Sequence, residues 1–189
     1  MAFNPQNTGV TSTVKKELIP DGTYAGRLAR VIELGKHEGK WGEKCQVVMS
    51  FTIPELTVEY NGETKQRMIT PFSLNFPDEG ELLNPDSTVA KYCKALNSTA
   101  QGWGDLILKP CMLDISIEKS KSSGKEYNKI NSLMRPIGGL DVPMPDCETY
   151  VFEFHNPDME VWEKIPEYYK EQIKQALNFE GSKLASMVV

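Results

Sequence analysis

The stretch Cys111–Arg135, CMLDISIEKSKSSGKEYNKINSLMR, constrains this chain most. Cys111, Leu113, Ile115 and Ile117 alternate with Met112, Asp114, Ser116 and Glu118, the period-two pattern of a strand with one dry and one wet face. The polar run Lys121-Ser122-Ser123-Gly124 reads as a turn. Beyond it, Tyr127, Lys129, Asn131, Leu133 and Arg135 alternate with Asn128, Ile130, Ser132 and Met134, which predicts a second strand returning antiparallel to the first. A long hairpin cannot bury its apolar face alone, so the rest of the chain must supply more sheet and a cover.

The preceding residues supply that sheet. Ile19-Pro20-Asp21-Gly22 reads as a turn launching a strand over Thr23–Leu34, with Tyr24, Leu28, Ile32 and Leu34 on one parity. Gly26 in mid-strand implies a bend or a close neighbour. Gly35–Lys44 reads as a Gly-rich basic loop carrying Trp41. Cys45, Val47, Met49, Phe51 and Ile53 then share one strand face, which Pro54 stops, and Asn61-Gly62 marks a tight turn. Gln66–Phe76 is a further extended segment in which Pro71 indicates an edge or a bulge. Asn84-Pro85-Asp86-Ser87 caps a short helix with Val89, Tyr92, Cys93 and Leu96 at helical spacing, and a loop bearing Trp103 leads back to the hairpin.

Three strand regions, a short helix and two strands form the order of an oligonucleotide-binding (OB-fold) barrel. The expected fold class is therefore an all-β core, a five-stranded OB-fold barrel with a short helix between strands 3 and 4, plus a C-terminal helical extension. Residues 1–19 form an N-terminal arm and 20–135 the barrel. Residues 136–189 comprise a Pro/Gly-rich linker, a short strand near Tyr150–Phe154 and a helix over Glu163–Phe179, packed on or beside the barrel. In that helix Pro166 suits the first turn, Ile165, Tyr169, Ile173 and Ala176 form a stripe that Tyr168 and Leu177 widen, and Gly181 is the terminator; Trp162, Tyr168 and Tyr169 are the anchors if this region contacts a protein instead. The stripe reads as cover for the barrel, with a subunit contact left open.

Charge is divided along the chain. Residues 1–140 carry 17 Lys+Arg against 16 Asp+Glu, whereas 141–189 carry 4 against 10. The overall acidity argues against coating duplex nucleic acid by charge alone, while the first part can approach a polyanion locally. Cysteines 45, 93, 111 and 147 show no metal-ligand spacing and read as free thiols in a reducing compartment. No apolar run approaches the roughly 18 residues of a membrane span, and the N-terminus lacks a signal-peptide core. The expected location is the cytoplasm, which the resemblance described below would make that of a host cell, with no membrane partner.

The residues give little support to catalysis. His37 and His155 are the only histidines and belong to no ligand cluster. GxSxG, P-loop and HExxH motifs are absent, and Asp78, Glu79 and Glu81 read as a wet loop. The expectation is no enzyme, no cofactor and no metal. Single-strand binding instead needs cations that track phosphates and rings on which bases stack. Arg27 and Arg30 in the first strand, Lys36, Lys40, Trp41 and Lys44 after it, and Lys65 and Arg67 entering the third are candidates. Lys125, Tyr127 and Lys129, with Lys119 and Lys121, complete the set at the last hairpin. Trp103 serves as an exposed ring or a core lid, Trp162 as packing, and Phe72 and Tyr60 as rings if their strands turn them outward. Two alternatives remain: a non-enzymatic structural or protein-interaction barrel without nucleic-acid contact, and a protein whose acidity mimics DNA.

Ile19-Pro20-Asp21-Gly22-Thr23-Tyr24 resembles the opening of bacteriophage-encoded single-stranded DNA-binding proteins. Trp103–Cys111 and Gly124–Ile130 resemble their penultimate strand and final hairpin, and Pro157–Ser182 is similar to the carboxy-terminal helix of some of them. The resemblance implies an OB-fold that binds single-stranded DNA with little sequence preference in phage DNA replication or recombination. It also implies homodimers or higher self-association, contact with replication proteins, and a binding face that includes Arg27, Arg30, Trp41, Lys44, Lys125, Tyr127 and Lys129. The family's acidic, aromatic-tipped tail is not matched by the final Lys183–Val189, so recruitment of partners through that terminus is not expected.

Overall fold

The computed structural model describes residues 17–40, 42–78 and 80–188; Trp41, Glu79 and most of the expected arm lie outside them. The chain adopts a mixed α/β fold in which a seven-stranded, mainly antiparallel sheet is flanked by several helices. In order come β1 (Gly22–Gly39), β2 (Gly42–Tyr60), β3 (Glu63–Ile69), β4 (Leu74–Phe76), α1 (Thr88–Leu96), β5 (Pro110–Lys119) and β6 (Glu126–Met134). β7 (Tyr150–Phe152), α2 (Met159–Lys164), α3 (Glu167–Lys174) and α4 (Lys183–Met187) follow. The strand path runs β3-β2-β1-β5-β6, with β4 paired to β2 and β7 parallel to β1.

Bulges decide which residues face which core. β1 shifts register against β2 between Leu28 and Arg30 and again between Glu33 and Gly35. An extra residue turns the following side chains over. Leu28 and Val31 therefore join one core while Ile32 and Leu34 join another, although Leu28, Ile32 and Leu34 share a parity in the sequence. The first core gathers Val47, Met49, Phe51 and Ile53 of β2 with Cys111, Leu113 and Ile115 of β5 and Val89, Tyr92 and Leu96 of α1. A bulge at Asn131 brings both Ile130 and Leu133 of β6 into it. Gly26 sits where a Cβ would lie 2.6 Å from the Thr52 carbonyl oxygen and 2.7 Å from Leu113 Cδ1, so the close neighbour its position implied is the β2 backbone.

The second core lies on the opposite face of β1 and β2. Ile32, Leu34 and Val48 pack there against Phe152, Phe154, Trp162, Ile165, Ile173, Ala176 and Leu184. β2 is thus buried on both faces along Val47–Ile53.

Several expected boundaries move. The basic loop Gly35–Lys44 is largely strand, paired from Lys36 with Cys45 to Gly39 with Gly42. β2 continues past Pro54 by looping out Pro54–Leu56 between the pairs at Ile53 and Thr57, and the missing proline N–H is tolerated there because no ladder bond is required. The segment Gln66–Phe76 divides into the end of β3 and a separate β4, with Pro71 in the connection. The single C-terminal helix is broken, because the Pro166 ring forces Ile165 out of helical geometry to ψ 131° and starts α3 afresh. Gly181 precedes the Ser182 cap of α4 instead of ending α3.

Candidate nucleic-acid interface

The two ends of the strand path, β3 and β6, line a cleft of about 500 Å³ together with residues 17–19, the connection after β3, and α3. Residues 17–19 run between the two strands. The Ile19 N–H donates to Asn128 Oδ1 at 2.8 Å, Asn128 Nδ2 donates to the Ile19 carbonyl at 2.6 Å, and Arg67 Nη2 donates to the Glu17 carbonyl.

Aromatic rings mark the rim. Phe72 is 72% exposed and meets Tyr127 edge to face, ring centroids 5.1 Å apart. Pro71 cannot continue the β3 ladder, and the chain turns out there and presents Phe72 to solvent. Tyr127 stands on the opposite parity from Ile130, the first buried residue of β6. Tyr168, 64% exposed, adds a third ring from α3 on the side away from the buried Ile173, and Gln172 Nε2 donates to its hydroxyl at 2.8 Å. Among the described residues Arg67 is the only basic one lining the cleft, against Glu17 and Glu126.

The predicted cations do not converge on one surface. Arg27 and Arg30 fasten the segment after β6 to the sheet. Arg27 donates to the Val142 carbonyl from Nη2 at 2.6 Å and Nε at 2.9 Å, and to the Leu108 carbonyl from Nη1 at 2.6 Å. Arg30 donates to the Glu148 carbonyl at 3.1 Å and lies over the Tyr150 ring. Lys36, Lys40 and Lys44 occupy the far end of the β1–β2 hairpin, where Lys36 pairs with Asp78 at 2.5 Å, and none of them lines the cleft. Lys65 pairs with Glu63 at 2.6 Å and Lys129 with Glu118 at 2.7 Å. Lys125 is exposed in the β5–β6 turn, and Arg67 and Tyr127 are brought together in the cleft. Trp41 lies outside the described residues. Ion pairs in contact with water contribute little to stability, so Lys65 and Lys129 can exchange a carboxylate for a phosphate at small cost.

Of the remaining rings, Trp103 is half-buried against Phe76 and donates from Nε1 to Glu33 Oε1 at 2.7 Å, while Trp162 packs in the second core. Glu33 is the polar joint between the two cores, since its other oxygen accepts the Phe154 N–H at 2.8 Å. Burial raises its pKa above the ordinary 4.5, against the lowering effect of both hydrogen bonds. The folded state therefore binds this proton more readily than the unfolded chain, and stability declines as pH rises from about 4.5 through the raised value. Glu33→Gln is expected to cost about 1–3 kcal/mol at neutral pH by turning an amide N–H₂ toward one of the two donors. Urea unfolding across pH 4–7 should show the wild type's advantage shrinking as pH rises, and an advantage that grows instead rules out the raised pKa.

All four cysteines are free, and burial pushes the Cys45 thiol to about 11 and Cys111 to about 12, leaving both protonated near neutrality. Among the described residues no group of three His, Cys, Asp or Glu side chains is placed to hold a metal ion. No family model, curated protein or solved structure matches the chain.

The sequence reading missed Tyr168 as a rim residue and Glu33 as a joint. Tyr168 carried a usable signal, as an aromatic residue at the margin of the apolar stripe, where it reads equally as cover or as a contact anchor. Glu33 carried none, because its partners lie 70 and 121 residues away.

Proposed function

We propose that the chain binds single-stranded DNA without sequence preference, on a five-stranded OB-type barrel, in phage DNA replication or recombination. The carrying observation is the pair of rings, Phe72 and Tyr127, standing at the rim of a cleft with Phe72 largely in solvent. Exposed aromatic faces have no folding role that requires them, and every base has a π-face to offer them. The strand path supports the same reading: β1, β2, β3, β5 and β6 meet in the order of an OB barrel, with α1 between the third and fourth of them. Residues 17–19 span the place where such a barrel closes.

A second reading, a protein-interaction barrel of a phage, draws on Leu82 and Ile137, which are 96% and 76% exposed outside the cleft. Titration of a fluorescent oligothymidylate at two salt concentrations, with a duplex control, separates the two. Binding that prefers the single strand and weakens with salt is the expected result. Folded protein that binds neither strand at low salt overturns the proposal in favour of the second reading.

A further inference from the structure

A buried charge without a counter-ion is among the most costly things a fold can hold. Arg67 is such a charge. It is 9% exposed, its one hydrogen bond among the described residues runs from Nη2 to the Glu17 carbonyl, and its Nε is buried with no partner. None of the ion pairs among the described residues includes it. Residues 1–16 contain neither Asp nor Glu. Two further buried polar atoms beside it in the β2–β3 ladder, Thr52 Oγ1 and Gln66 Oε1, also lack partners. The rest of the molecule treats arginine differently: both Arg27 and Arg30 are bonded to backbone carbonyls through Nε.

An anion would supply both the missing acceptor and the missing charge; Arg67 also borders a smaller cleft of about 240 Å³ beside Pro20, Leu56 and Thr57, but only the larger one carries exposed rings. A planar guanidinium fork matches the oxygens of a phosphate better than those of any neutral group. The cleft volume of about 500 Å³ falls within the range of small-ligand sites, and its rim carries the Phe72 and Tyr127 rings. We propose that Arg67 seats one backbone phosphodiester of a single strand inside this cleft, while the bases on either side of that phosphate stack on the rim. This rests on the single-strand reading above and adds to it an internal phosphate seat. The other cations then act as surface attraction, and Arg67 makes the one desolvated phosphate contact.

The test compares wild type, Arg67→Met and Arg67→Lys on oligothymidylate and on the same oligomer with uncharged methylphosphonate linkages. Arg67→Met should bind the phosphodiester oligomer about tenfold or more weakly, with a salt slope shallower by about one. On the methylphosphonate oligomer the two proteins should bind equally. Arg67→Lys, which keeps the charge and loses the fork, should fall between them. Without ligand, Arg67→Met should melt no lower than wild type, because it removes an uncompensated charge. Inorganic phosphate at fixed ionic strength should raise the melting temperature of wild type and not that of the variant.

If wild type binds oligothymidylate and Arg67→Met binds it equally well, the seat is wrong and the single-strand reading stands. If Arg67→Met melts lower and loses affinity equally for both backbones, Arg67 is a structural staple and the proposal fails. Phosphate that shifts both proteins alike binds elsewhere and counts against the seat. Should wild type bind no strand at all, the function falls, and a phosphate shift confined to wild type would then identify Arg67 as a seat for free phosphate, which overturns the strand as its ligand.

Discussion

Phe72→Ala combined with Tyr127→Ala is expected to weaken single-stranded DNA binding about a hundredfold. Base–ring stacking contributes about 1–3 kcal/mol per base, and a loss near 3 kcal/mol across the two rings corresponds to about two decades in affinity. The salt slope should stay where it was, because neither substitution removes a charge. That separates this effect from the loss expected at Arg67, where the slope itself changes. Tyr60→Ala is the control: its ring is 66% exposed beside the β2–β3 turn and is not a cleft residue. Its removal should leave affinity within about twofold, since an isolated surface ring contributes little. Anisotropy titration at constant salt measures all three proteins. If the double variant retains wild-type affinity, the strand lies on another surface and the cleft is not its site.

The strand faces were legible in the sequence wherever alternation ran unbroken. Cys111, Leu113 and Ile115 are buried on the parity they display, because a period of two leaves one side of the pleat for the apolar set; Cys45, Val47, Met49, Phe51 and Ile53 are buried as their parity implies, but Val48, Ser50 and Thr52 on the opposite face are buried as well, Val48 in the second core. β1 defeats the same reasoning. Its two bulges come from backbone geometry against β2, and no residue between Leu28 and Gly35 announces which of two apolar faces meets which core. The alternation there is genuine but serves two cores in turn. Pro54 misleads for a related reason, since a proline ends a strand only where its N–H is needed by the ladder.

The site was less legible than the fold. The sequence shows that Arg27 and Arg30 are cations, but only the folded chain shows their N–H groups spent on the carbonyls of Val142 and Glu148. Tyr127 could be picked out from its basic neighbours in the hairpin. Its partner Phe72 lies across a connection whose path depends on Pro71, and Tyr168 comes from a helix nearly a hundred residues later. Residues that meet only when strands distant in sequence come to line one cleft leave no local pattern, so the charge-rich turns drew attention away from it.

Gly35→Ala should destabilise the chain by about 3 kcal/mol, a large part of the roughly 5–15 kcal/mol typical of a domain. Gly35 has φ +83° at the second β1 bulge, and a Cβ there would lie 2.7 Å from Ala176 Cβ, 2.9 Å from Phe154 Cε2 and 3.0 Å from Asn178 Oδ1. The left-handed backbone costs an alanine about 1–2 kcal/mol and overpacking adds about 1–3. The crowded atoms belong to Phe154 and to the segment after α3 that is tied to β1: the Leu177 N–H donates to the Lys36 carbonyl at 2.8 Å, and the Lys36 N–H donates to Asn178 Oδ1 at 2.8 Å. Any shift that relieves the clash must strain these bonds. Gly139→Ala isolates the two contributions, since Gly139 also has φ +83° but nothing within 4 Å of the place a Cβ would take; it should cost only about 1 kcal/mol. Urea unfolding of both variants gives the difference directly, and equal costs would mean that the C-terminal layer is not packed against Gly35. Because α3 carries Tyr168 to the cleft, the same substitution at Gly35 should also weaken strand binding by a few-fold at temperatures where the variant is still folded. The second core would then set the position of one wall of the binding cleft.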